Sequence, residues 1–232
     1  MTSMTFKGVT SQSLGVVVLG YPPITKPAAL IKTETIPGRS GDLVLQSDPV
    51  YEPYDKVVRC RLLPGTKPES VSAWLNGSGL LILGNEPLYA YQARVTEQIN
   101  YEKVFPSHEA RVFEVTFTVQ PEKRLAVTEG DLQLTGSGTI TNPGTLPSRP
   151  RILINATGDV TLMIGQGITE LEGLTSPILL DSDLGMATNA LGTLNASYLV
   201  SGDWPILLPG NNPVSFTGAV SNLTITPRWR WL

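Results

Sequence analysis

The sequence predicts an all-β protein with one short helix, and three features of the chain carry that expectation. Apolar residues recur at every second position in several runs, and Gly, Pro, Asn and Asp punctuate those runs at short intervals. The helical patterns of about 10–15 residues that separate strands in βαβ proteins are missing. The chain is long enough to fold on packing alone. With 232 residues, 41% apolar and 16% charged, it can bury about 70% of its unfolded surface in one large core or two modest ones.

The opening, MTSMTFKGVTSQSLGVVVLG, does not read as a secretory signal. Lys7 is its only charge, the apolar stretch Leu14 to Leu19 is short, and Pro22 and Pro23 follow. No run approaches the ~18 apolar residues of a membrane span. The Asn-x-Ser/Thr matches at Asn76, Asn155, Asn195 and Asn222 therefore read as chance. The expectation is synthesis in the cytosol, with any exit by another route.

From Ile24 to Gly41, Pro27, Pro37-Gly38 and Gly41 bracket a polar alternation, with Lys32 and Glu34 on one side and Thr33 and Thr35 on the other. An extended hairpin arm and an ordinary edge hairpin fit this pattern equally. Next, Val58, Cys60 and Leu62 alternate with Arg59 and Arg61 as a half-buried strand. Thr66-Lys67-Pro68-Glu69 reads as a capping box with Thr66 as N-cap. Val71, Trp74 and Leu75 then share one helix face, and Gly77 is the stop. A helix this short is not stable alone in water, so Trp74 must dock against a sheet, expected to contain Leu80 to Leu83.

Phe113, Val115, Phe117 and Val119 alternate with Glu114, Thr116 and Thr118 in a second clear strand. The run Gln120 to Arg124 then breaks it with a proline and a cluster of charges. Stop signals gather at Asn142-Pro143-Gly144 and Pro147 to Pro150, and charges thin out in the second half. These shifts suggest an N-terminal domain over 1–122 and a C-terminal one over 123–232, the alternative being one domain with a long mid-chain loop. In the second half Ile152 and Ile154, then Val160, Leu162 and Ile164, then Leu223 and Ile225 repeat the period of two.

A formal charge of −3 argues against specific nucleic-acid binding, which needs clustered Lys and Arg, and against polybasic membrane attachment. Cys60 is the sole cysteine, so no intrachain disulfide or Cys-based metal site is possible, and it reads as a small buried hydrophobe. His108 is the sole histidine and reads as a surface-loop residue. Asp181-Ser182-Asp183 puts two carboxylates at a spacing that a glycosidase can use, but a turn with Asx hydrogen bonds explains it more simply. Gly165-Gln166-Gly167 lacks the third glycine and helix of a dinucleotide fingerprint and reads as a tight hairpin. Tyr89 with Tyr91, and Trp229 with Trp231, suit sugar stacking or packing within a sheet. The expectation is a protein without enzymatic activity, with no catalytic, cofactor-binding or metal-binding residues, that works through its surface.

Strings along nearly the whole chain resemble the distal tail proteins of long, non-contractile-tailed bacteriophages. In the first half these are Phe6-Lys7-Gly8, Ser13 to Val18, Pro22-Pro23-Ile24, Thr35 to Leu43, Tyr51-Glu52-Pro53-Tyr54, Trp74 to Leu80 and Tyr89 to Arg94. In the second they are Thr141 to Thr145 with Arg149-Pro150, Ile178 to Ser182, Gly202 to Pro205 with Leu208 to Asn212, and Pro227 to Arg230. The resemblance implies an N-terminal β domain with a helix and an extended hairpin, and a galectin-like C-terminal β-sandwich. It implies a homohexameric ring that joins the tail tube protein to tail-tip hub or baseplate proteins. The location is then the distal end of the virion tail, with assembly in the host cytoplasm and DNA passing through the ring channel. It favours the arm for residues 24–41, with Arg39 available for a charged hydrogen bond across the interface. Sugar binding by the C-terminal domain, in attachment to a host surface glycan, is the alternative role.

Overall fold

The computed structural model describes residues 3–45, 50–103, 110–127 and 129–232. The chain divides into two compact units, Met1–Ala126 with Leu232 and Val127–Trp231. The first contains strands β1 (Met4–Phe6), β2 (Val9–Thr10), β3 (Val16–Gly20), β4 (Ala29–Leu30), β5 (Thr33–Thr35), β6 (Asp42–Val44), β7 (Val50–Tyr51), β8 (Tyr54–Leu62), β9 (Gly77–Leu83), β10 (Tyr89–Val95), β11 (Glu102–Lys103) and β12 (Arg111–Leu125). One helix, α1 (Pro68–Trp74), links β8 to β9.

Among the described residues, an antiparallel eight-stranded sheet runs β2-β1-β9-β10-β12-β8-β3, with β11 on the end of β12. Its outermost strands, β2 and β3, are joined by residues 11–15 alone. Fully stretched, that link reaches about 20 Å, whereas flat strands in this order would put its ends about 29 Å apart. The sheet must curl. Ser11, fully buried in the link, accepts a hydrogen bond from the Met4 N–H at 3.2 Å.

The concave side is the core. Phe6, Val58, Cys60, Leu62, Leu81, Phe113, Val115, Phe117 and Val119 all face it, and α1 covers it with Val71 and Trp74. Trp74 docks as the sequence predicts: its indole N–H donates to the Phe6 carbonyl of β1 at 3.0 Å, next to β9. The capping box does not form. Lys67 occupies the N-cap without a side-chain bond, and the Thr66 hydroxyl donates instead to the Gly15 carbonyl at 3.4 Å.

The expected break at Gln120–Arg124 is also absent, because β12 runs on to Leu125. The register slips there: Ala93 faces Val119 while Tyr91 faces Lys123. Pro121 sits in this bulge, where its missing N–H costs no ladder bond.

The second unit holds β13 (Leu132–Leu134), β14 (Gly138–Asn142), β15 (Arg151–Ile164), β16 (Gly167–Leu174), β17 (Ile178–Asp181), β18 (Met186–Asn189), β19 (Val200–Gly202) and β20 (Gly210–Thr226). The two apolar runs at 152–154 and 160–164 belong to one strand, β15. Its first half pairs with β17 and its second half with β16, while β20 accompanies it along both. The bend between halves requires close backbone approach: a Cβ on Gly218, at φ +100°, would lie 2.2 Å from the Asp159 carbonyl oxygen. Bent long strands of this kind give a sandwich-like fold around Ile152, Ile154, Leu162, Leu180, Leu223 and Ile225. Gly165 and Gln166 make the expected tight turn between β15 and β16.

Candidate functional site

Between β3 and β8, which are neighbours at the edge of the curled sheet, the chain leaves the body as a two-tier hairpin. The lower tier pairs Ala29 with Tyr51 and Leu30 with Val50; the upper pairs Thr33 with Val44 and Thr35 with Asp42. It therefore extends the β3–β8 edge pair, so the arm and the edge hairpin are one feature. The return strand reaches Tyr51, well past the Gly41 limit suggested by the prolines. At the tip, Gly38 (φ +84°) and Gly41 (φ +79°) take left-handed conformations that other residues rarely adopt. The Thr35 hydroxyl donates to Asp42 at 2.8 Å, closing the turn.

The arm carries more exposed apolar surface than its Lys/Thr/Glu pattern suggests. Ile24, Leu30, Ile31, Ile36, Val44, Leu45 and Val50 are between 38% and 68% exposed. Scattered apolar side chains are normal on a surface. Here they share one thin hairpin with no layer of core beneath it.

At the arm's root lies a buried ionic cluster. Lys56 is only 1% exposed and Glu86 6%. The Lys56 ammonium stands 3.5 Å from Glu86 Oε2, donates to the Pro23 carbonyl at 3.4 Å and lies 4.7 Å from the centre of the Tyr91 ring. The Tyr91 hydroxyl donates to Glu86 Oε2 at 2.8 Å, and Lys123 reaches Oε1 at 3.3 Å. Asn85 Nδ2 donates to the Pro22 carbonyl at 3.2 Å. Burial pushes the Lys56 pKa down, opposed by the Glu86 charge. For Glu86 burial acts upward, but the Tyr91 hydrogen bond and the two ammoniums outweigh it and hold the carboxyl below its usual range. Burial, followed by the bond to Glu86, pushes the Tyr91 phenol up.

The sequence reading missed this cluster. Lys56 occupies the next inward position of the Val58, Cys60, Leu62 alternation, so a period-two count was enough to flag it. Glu86 gave no such signal, since it lies in the β9–β10 turn.

In the second unit, the carboxylates of Asp181 and Asp183 meet arginines. Arg228 binds Asp181 through two hydrogen bonds of 2.8 Å each, and Arg230 pairs with Asp183 at 2.5 Å. Asp181 Oδ1 also accepts the Asp183 and Leu184 N–H groups at 3.1 and 3.3 Å, forming the predicted Asx turn. The Arg228 hydrogen bonds hold the Asp181 carboxyl below its usual range. With the Trp229 N–H donating to Glu129 at 3.0 Å, these contacts fasten the closing segment of the chain.

Cys60 is fully buried, and burial pushes its thiol up to about 12. His108 lies outside the described residues. Among the described residues, no group of three or more His, Cys, Asp and Glu side chains gathers as a metal site would require. Tyr91 and Trp229 are core residues, while Tyr89 and Trp231 are half-buried. A separate shallow groove of about 380 Å³ in the second unit is lined by Ile164, Gln166, Asp203, Trp204, Ile206 and Leu208.

No family model matches the sequence, and no curated protein matches it. Solved structures do. The chain is similar to SPP1 Dit (gp 19.1), described as a paradigm of the hub adsorption apparatus in phages infecting Gram-positive bacteria, with a TM-score of 0.77, 14% identity and 99% of each chain covered. It also aligns with chains of the phage p2 baseplate in its activated conformation, with Sr and with Ca, at TM-scores of 0.48 and 0.49, 7% identity and 96% coverage of each chain. The first likeness establishes a shared fold along the whole chain.

Proposed function

We propose that this chain is a structural protein of a phage tail tip, a distal tail hub that joins the end of the tail tube to tail-tip or baseplate proteins. The observation that carries the reading is the arm: an apolar hairpin that stands off the first unit, in a chain whose fold follows SPP1 Dit from end to end. An exposed apolar arm suits contact between identical copies. Head-to-tail contacts of this kind close into a ring when the rotation permits, and the number six comes from the family resemblance. In this reading the second unit is a galectin-like sandwich, and the chain performs no catalysis.

Native mass spectrometry at several concentrations, paired with negative-stain microscopy of phage particles, tests the proposal. The expected result is a closed six-membered species, with the protein at the distal end of the tube. A stable oligomer of another order, or particles lacking the protein at that position, would refute it.

One feature favours a second reading, attachment to a host surface glycan. The groove beside Trp204 joins an aromatic and aliphatic wall to the carboxylate of Asp203 and the amide of Gln166. That combination suits the apolar face and hydroxyl rim of a pyranose. Titration with host wall polysaccharide should then give binding that Trp204→Ala abolishes; no binding at millimolar sugar removes this reading.

A further inference from the structure

We propose that Lys56 and Asn85 are positioning residues for the hairpin arm, a latch that fixes its direction before any partner arrives. The inference rests on the reading of the arm as the assembly element, and it addresses what that reading leaves open: why a thin hairpin should point one way.

The two residues grip consecutive carbonyls of the outgoing segment. Asn85, on the β9–β10 turn, holds Pro22 at 3.2 Å, and Lys56, on β8, holds Pro23 at 3.4 Å. One grip comes from the β9–β10 turn and the other from β8, so the exit segment is held at two separate points. Proline carbonyls suit the purpose. Pro22, Pro23 and Pro27 have fixed φ angles, and Pro22 and Pro27 are buried, so a grip at the root is transmitted outward instead of being lost in backbone freedom.

The Lys56 side has a physical reason to stay closed. A buried ammonium must satisfy its N–H groups locally. Glu86 takes one, at 3.5 Å, but that carboxylate is also bound by Lys123 and by the Tyr91 hydroxyl. Were Pro23 to swing away, Lys56, itself only 1% exposed, would lose one of its acceptors. A surface lysine imposes no such penalty, because solvent replaces the carbonyl. The position of the charge inside the body therefore ties the arm's root to the first unit.

The test is a distance distribution between the arm and the body. Spin labels go on Ser40→Cys at the arm tip and Ser78→Cys on β9, in the full chain, diluted with excess unlabelled protein to remove intermolecular signals. Cys60 stays unlabelled, since it is fully buried and its thiol is pushed up to about 12. Lys56→Met keeps the aliphatic stem and removes the ammonium; Asn85→Ala removes the second grip without touching the buried charges. The unsubstituted protein should give one narrow distribution. Each variant should widen it about twofold, and the pair more, as a locally released segment does. Asn85→Ala should do so with its urea midpoint unchanged, which a merely structural role would not produce.

Distributions that stay narrow in Asn85→Ala and in the paired variant overturn the latch, whether or not rings form. If Lys56→Met fails to fold, Asn85→Ala alone decides. Broad distributions with rings intact support the latch and count against the arm's role in assembly, so the two ideas fail separately.

Discussion

Replacing Ile31 and Val44 with serine should weaken assembly while leaving the subunit's fold almost unchanged. Both side chains lie on the arm and are 57% exposed in the single chain. Fully burying an isoleucine or valine is worth about 1.5–3 kcal/mol. Somewhat over half of that remains to be gained at a partner surface, about 1 kcal/mol for each residue. The double variant should therefore lose about 2 kcal/mol at every arm contact, or roughly 30-fold in the association constant. Within the subunit, the strand preference lost at Val44 costs at most about 0.5 kcal/mol, and only in the arm. Sedimentation velocity across a concentration series measures the first effect, and a urea titration followed by near-ultraviolet circular dichroism measures the second. Assembly at unchanged concentration would refute the argument. So would a urea midpoint that falls in step with association, since the side chains would then be supporting the fold.

Trp74→Ala should cost about 3–5 kcal/mol in urea unfolding, because it empties a core site and leaves the Phe6 carbonyl without its donor; Trp74→Phe should cost clearly less, and equal costs would discredit the docking account. Asp181→Asn should cost about 1–2 kcal/mol at neutral pH. Because the folded pKa lies below 3.8, the Asp181 contribution is complete above that value and is lost as pH falls through the folded pKa. Melting curves of the two proteins should converge on acidification, and a gap that stays constant or widens contradicts this. Gly218→Ala should destabilise by at least about 2 kcal/mol through positive φ and the clash with the Asp159 carbonyl; a thermal melt within a degree of the parent would show that the bend relaxes freely.

Elements held by neighbours in sequence were legible in the chain itself. The alternations at Val58–Leu62 and Phe113–Val119 are buried on one face as expected, because a strand's side chains alternate whatever surrounds it. The helix at Pro68–Trp74 and the Asx turn at Asp181 follow from local hydrogen bonding and spacing in the same way. Hairpin punctuation by Pro37, Gly38 and Gly41 located the arm's tip. The arm's apolar character was present in the residue types, but exposure depends on what the rest of the chain covers.

Contacts between distant residues needed the tertiary structure. Thr66 makes a bond to Gly15 in place of the local cap, since the sheet brings β3 and the start of α1 together. Pro121 sits in a bulge and does not end β12, because β10 pairs with the strand both before it, at Val119, and after it, at Lys123. Glu86 is separated from Lys56 by 30 positions and Arg228 from Asp181 by 47, and no local pattern records such pairings. The sequence by itself determined the period-two strands, the one short helix and the turns, because their energetics involve residues a few positions apart. Only the tertiary structure decided the curl of the sheet, the buried charge at the arm's root and the apolar surface left uncovered on the arm, because each depends on which distant segments meet and which remain in water.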